Sequence, residues 1–209
     1  MKLYVDKEKV LKFLGYGKRK APKIIEKKID QELEVYDEYL YPEYYMKSVD
    51  IDTSKEGNVV FDNEVSLESM YLYKKLKGMK KAYVVVYTVG EKIEEVTYKY
   101  SEEAEMMRAM IIDKLGVVAL DNLRDQLVEQ IELKEHPGVI ASTSYPSQGD
   151  FKVEHQRVLF ELFKGEEMNI TINESSQFTP LKTVLLIYGI GDEKDTTTMC
   201  EACENKCNG

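Results

Sequence analysis

Three cysteines close the chain, Cys200, Cys203 and Cys207, in the pattern Cys-x-x-Cys-x-x-x-Cys. Thiolates so spaced can hold zinc, or three irons of a cubane cluster, with a fourth ligand supplied from outside the segment. The other reading is a flexible thiol-bearing tail. Cysteines clustered at one end do not describe a disulfide framework. His136 and His155 are the only histidines. Neither stands in a metal-ligand spacing, and surface positions are expected for both. No Ser-His-Asp or Cys-His arrangement can be argued from spacing. The chain has no P-loop and no dinucleotide-binding glycine fingerprint; "GIGDEK" is a glycine pair after a strand, with no helix behind it. Two further stretches stand out, "STSYPSQGD" (142–150) and "NITINESSQFTPLKTVLLIYGIG" (169–191). The first reads as a loop, the second as a strand, a polar turn and another strand.

What must position these groups is a chain of 209 residues, 43% of them hydrophobic, enough to bury a sizeable core. Acidic residues outnumber basic ones, 38 to 29, for a formal charge of -9, which argues against a nucleic-acid partner. The locally basic "KRKAPKIIEKK" (18–28) reads as a solvated helix face. No apolar run approaches the roughly 18 residues of a membrane span. The start, "MKLYVDKEKV", carries charges where a signal peptide needs an apolar core. No membrane partner is expected, and a cytoplasmic location is.

Periodicity supplies the elements. "DKEKVLKFLGYG" reads as a short helix stopped by Gly15 and Gly17. A second helical pattern runs from Pro22 to about Tyr41, with Ile24, Ile25, Ile29, Leu33 and Tyr36 recurring every three to four residues. "YPEYYMKSVDID" looks extended, and "NVVFDNEVSL" has mixed strand character. "SLESMYLYKKLKGM" predicts a helix ending at Gly78. Tyr83 to Val89 is the clearest strand, and the alternation in "VTYKY" suggests a strand pairing with it. Ser101 predicts the start of a helix reaching about Lys134. Its first half, "MMRAMIIDKLGVVAL", is apolar nearly all round and should be buried; its second half narrows to Leu120, Leu123, Leu127 and Ile131. Gly116 in the middle suggests close approach of another backbone. Val158, Leu159, Leu162 and Phe163 form the inward face of a later helix. Strands and helices mix without regular alternation, so an α+β fold is expected, with a mixed or antiparallel sheet and a long buried helix.

Several of these segments together resemble the activation (reactivation) domain of vitamin B12-dependent methionine synthase. The matches are Tyr145-Pro146, Glu174-Ser175, Pro180, Thr183-Val184 and Gly189. Upstream, "DKLGVVALDNLRDQL" (113–127) is similar to a family helix, with Asp113, Gly116, Ala119 and Asp121 in place. "EKVLKFLGYG" looks like the start of free-standing versions of the domain. The resemblance implies one activation-type domain over 1–191, with 1–57 as an N-terminal helical segment packing on it and 192–209 as a polar cysteine-containing tail. It implies binding of S-adenosylmethionine beside Ser144, Tyr145 and Pro146, with Asp121 and Glu174 near the positive charges of the ligand. It also implies a corrinoid-binding methionine synthase chain as partner, carrying the cobalamin, and a flavodoxin-like electron donor. Oxidised cobalt on that partner would be returned to its methylated form. The family's loop Arg has no counterpart in "VIASTSYP", which implies weaker binding of a ligand carboxylate. Two other functions stay open. One is a module that docks a corrinoid protein without binding S-adenosylmethionine. The other is a redox activator whose cysteine tail holds an iron–sulfur cluster.

Overall fold

Side-chain caps and positive-φ residues set several element boundaries in the computed structural model, which describes residues 1–193. The three cysteines and the expected metal site lie outside the described residues. Asp6 accepts a hydrogen bond from the Glu8 amide and opens α1 (Lys7–Leu11). A π-helical turn follows and breaks at Gly15, whose φ is +86°. Ser69 caps α3 (Met70–Leu76) by accepting from the Leu72 amide at 3.1 Å. The turn between β2 (Asn58–Phe61) and β3 (Val65–Glu68) uses Asp62 and Asn63 at φ of 50° and 58°, which short polar side chains tolerate.

The residues fall into two compact units. The first comprises 1–44, 87–127 and 178–183. It holds α1, α2 (Lys23–Leu33), α4 (Lys92–Glu102) and most of α5 (Met106–Glu135). Val10, Ile29, Ile93, Ile112, Ala119 and Leu127 are fully buried there. The start of the chain is tied to α5: the Tyr4 amide donates to Asn122 at 2.8 Å, and Gln126 donates to the Lys2 carbonyl at 3.0 Å. Arg108 pairs with the buried Glu32.

The second unit comprises 45–86, 128–177 and 184–193 of the described residues. It carries the body of a six-stranded antiparallel sheet in the order β3-β2-β1-β4-β8-β5. Here β1 is Glu43–Asp52, β4 Lys81–Thr88, β5 Val139–Ser144 and β8 Thr183–Gly191. β4 is buried along almost its whole length, as its run of valines and tyrosines demands. α6 (His155–Phe160) continues into a 3₁₀ turn, and the short β6 (Thr171–Ile172) follows, while β7 (Phe178–Thr179) belongs to the first unit. The α+β expectation, with its antiparallel sheet and long helix, is what the structure has. No helix among the described residues is long and apolar enough to cross a membrane.

Four local expectations are corrected. "VTYKY" is helical, within α4, because Ile93, Val96, Thr97 and Tyr100 recur at helical spacing and outweigh the short alternation. Ser101 lies in the last turn of α4 and caps nothing; Ala104, at φ 61°, separates the helices, and α5 begins at Met106. Met106, Met107 and Met110 are exposed, so the first half of α5 is not buried all round; Ala109, Ile111, Ile112 and Leu115 are its first buried residues. Val158 is exposed while Leu159, Leu162 and Phe163 are buried. Residues 43–52 form β1, as the extended "YPEYYMKSVDID" suggested.

Candidate functional site

The Tyr145-Pro146 segment follows β5 directly, and the boundary differs from the expected one. Ser142, Thr143 and Ser144 are strand residues, not loop: they pair with Gly189, Tyr188 and Ile187 of β8. Polar composition suggested a loop, but pairing with an apolar neighbour made it a strand. Ser144 is wholly buried and its hydroxyl has no hydrogen-bond partner among the described residues. Tyr145 and Pro146 are half-buried.

The loop itself closes tightly. Ser147, at φ 89°, donates its amide to the Phe151 carbonyl at 2.7 Å, and the Phe151 amide returns to the Gln148 carbonyl at 3.0 Å. Phe151 is fully buried. Asp150 then turns its carboxylate onto the first turn of α3. It accepts from the Ser69 hydroxyl at 2.7 Å, the Met70 amide at 2.8 Å and the Tyr71 amide at 2.9 Å. These donors, led by the Ser69 hydroxyl and the Tyr71 amide, hold the Asp150 carboxyl down at about 2. Gln148 adds a second tie. Its side-chain oxygen accepts both the Tyr145 amide at 2.8 Å and the Tyr71 hydroxyl at 3.1 Å.

A cavity of about 760 Å³ lies beside the other end of β5. Ala141, Met79, Ile190 and Gly191 give it apolar lining, with Lys77, Lys80, Asp192 and Glu193 at its polar margin. Ala141 and Tyr145 are four residues apart, about 13 Å along an extended strand. The cavity is therefore within reach of the loop along a single strand.

Glu174 stands elsewhere in the second unit. It sits exposed on the turn joining β6 and β7, which Asn173 closes through Gln177 and Ser176. Its carbonyl accepts from Arg157 at 3.1 Å, and it lines a smaller cleft of about 320 Å³ with Glu154, Arg157 and Glu161. Asp121 belongs to the first unit and pairs with Arg124 of its own helix at 3.2 Å. The expected ligand residues thus occupy three separate elements. Only Ser144, Tyr145 and Pro146 are contiguous. His136 is exposed; His155 is half-buried, stacked on Phe151 at 5.8 Å.

In the first unit, the segment matched through Asp113 and Gly116 has a physical explanation. Lys182 reaches Asp113 at 2.5 Å, and its aliphatic stem crosses Gly116. A Cβ at Gly116 would stand 2.6 Å from the Lys182 Cε and 2.9 Å from Ile93. Side chains, not another backbone, require the glycine. Partial burial pushes the Asp113 carboxyl up, but Lys182 and Lys114 outweigh it and hold it below the ordinary range.

No protein-family model and no curated protein matches this chain. A solved structure does: the MetH reactivation domain bound to AdoHcy, with a TM-score of 0.61 and 10% sequence identity. The match covers 84% of this chain and 66% of that one. The fold is that of the MetH reactivation domain. The chain therefore spans about two thirds of the reactivation-domain structure it resembles. Sequence reasoning missed the clamp on α3, although Ser69 ahead of "MYLYKKL" carried the signature of a helix start.

Proposed function

We propose that this chain serves a cobalamin-dependent methionine synthase, or a related corrinoid methyltransferase, as a separate reactivation component that binds S-adenosylmethionine. The observation that carries this reading is the reactivation-domain fold, found with the Tyr145-Pro146 loop ordered at the end of β5. S-adenosylmethionine, when bound, would supply an electrophilic methyl group to a corrinoid held by the partner, leaving S-adenosylhomocysteine, and a flavodoxin-like donor would supply the one electron needed.

The residues present fit such a ligand. It is zwitterionic at one end and aromatic at the other, and the cavity beside β5 offers both signs of charge around an apolar floor. Lys77 and Lys80 border that cavity with Ala141, near where the family's loop Arg is missing. In this reading they attract the ligand carboxylate as point charges, without the two-pronged geometry of a guanidinium. Asp192 and Glu193 face the ammonium. Tyr145 and Pro146 do not line that cavity; about 13 Å further along β5, they would meet the other end of the ligand. Asp121 and Glu174, each on another element, remain proposed contributors of negative charge.

Calorimetric titration with S-adenosylmethionine and S-adenosylhomocysteine tests the reading. Binding weakened several-fold by Tyr145→Ala and by Lys80→Ala is the expected result. No heat at millimolar ligand would favour the docking module, and binding indifferent to both substitutions would put the site elsewhere.

A further inference from the structure

Gln148 holds the loop from its middle. Its side-chain oxygen is the shared acceptor of two donors from different segments, the Tyr145 amide and the Tyr71 hydroxyl. Tyr71 is in turn fixed on the loop side by its own backbone, since its amide donates to Asp150. Gly149, at φ +55°, brings the loop backbone against the Tyr71 side chain so closely that a Cβ there would stand 3.0 Å from it. Loop and helix start are thus joined by four hydrogen bonds and one steric contact, all within the second unit. None of these groups lines the cavity beside β5.

We infer that Tyr71 and Gln148 are positioning residues for S-adenosyl ligands: their relay fixes the Tyr145 main chain before the ligand arrives. This rests on the proposed function. The physical ground is preorganisation. A loop held by its own side chains loses little freedom on binding, so more of the contact energy appears as affinity. The relay needs an acceptor at Gln148 and a donor at Tyr71, and nothing else from either side chain. The ligand need touch neither residue.

The test uses the full chain, S-adenosylhomocysteine as the titrant, and the variants Tyr71→Phe, Gln148→Met and Gln148→Glu. Tyr71→Phe deletes one hydroxyl, and Gln148→Met keeps the length of the side chain but removes its acceptor. Each should weaken binding by about five-fold, the value of one neutral hydrogen bond. Gln148→Glu retains an acceptor for both donors and should recover affinity to within about two-fold of wild type. A merely structural role would not produce that rescue, and thermal midpoints of the ligand-free proteins check that the fold is kept. Amide hydrogen exchange at Tyr145, measured without ligand, reads the relay directly: slow exchange in wild type and Gln148→Glu, fast in Gln148→Met. If wild type binds and all three variants bind equally well, the positioning role is overturned while the proposed function stands. If wild type does not bind, both fall as statements about ligand, and the exchange rates alone then report whether the relay exists. Fast exchange at Tyr145 in wild type overturns the relay whatever the titration shows.

Discussion

Asp113 and Asp150 are both held as carboxylates below their ordinary range, and by different physics. Asp113, in the first unit, faces two ammonium groups, Lys182 at 2.5 Å and Lys114 at 2.9 Å, and is partly buried against its own interest. Asp150, in the second unit, has no ion pair among the described residues; a hydroxyl and two helix-start amides hold it. The first arrangement is Coulombic, so it responds to salt and costs desolvation. The second uses oriented dipoles that would otherwise seek water, so it is directional and less sensitive to salt than an ion pair. One chain has solved the same problem, stabilising a carboxylate, once with charge and once with geometry. The geometric solution is the one beside the candidate ligand loop.

The largest effect should come from disturbing the Coulombic site sterically. Gly116→Leu must displace Lys182 and Ile93, and moving Lys182 breaks its pair with Asp113. A loss of about 3 kcal/mol in urea unfolding is expected. A loss below about 0.5 kcal/mol would show that the Lys182 stem is not fixed where it crosses the helix.

The geometric site should be next. Asp150→Ala removes the acceptor from three donors and should cost about 2 kcal/mol; Asp150→Asn keeps an oxygen and should cost about half as much. Equal losses for the two variants would mean that charge, not placement of the oxygen, is what matters there.

Asp113→Asn and Lys182→Met come third. Both side chains keep some contact with water, so about 1 kcal/mol is expected for each. Repeating the melts at 1 M salt separates the two sites. The gap between wild type and Asp113→Asn should shrink, while the gap between wild type and Asp150→Ala should hold. If both gaps shrink alike, the contrast between the sites is wrong.

Acid gives the smallest and most specific signal. The folded carboxyl of Asp150 lies at about 2, below the ordinary value of 3.8. Its stabilisation is therefore complete above about pH 4 and is lost as pH falls towards 2. Asp113 is shifted in the same direction, so each contributes to the acid limb of stability. In Asp150→Asn the slope of stability against pH between 4 and 2 should be shallower than in wild type. An unchanged slope would remove Asp150 from the acid response.

The sequence disclosed the scaffold better than the site. The β4 strand, the α3 helix and the Leu123–Leu127–Ile131 stripe of α5 were legible because each depends on a run of side chains facing one way. Residues 142–144 were misread because a Ser-Thr-Ser strand owes its conformation to its neighbour β8, which composition does not reveal. Gly116 was noticed, but its partner Lys182 lies 66 positions further on and no local pattern connects them. The resemblance pointed to the fold that the structure has. Asp121 and Glu174 are on separate elements, and the ties that hold the loop come from Ser69, Tyr71, Gln148 and Asp150. The ties from the loop to α3 span 77 to 81 positions in the chain, beyond anything periodicity can report.

Among the described residues, β5 is the last strand of the sheet, with β8 on one side only. An outermost strand is a ready template for a second molecule, because its outward amides and carbonyls invite another strand to add on. The irregularity between Ile140 and Ser142 interrupts that template at its centre. A foreign strand could match one half of β5 but not both, since the extra residue re-aims the backbone and increases local twist. The same bulge that shapes the strand beside the cavity thus also discourages fibril-like stacking of identical chains, a safeguard that straightening residues 140–142 would remove.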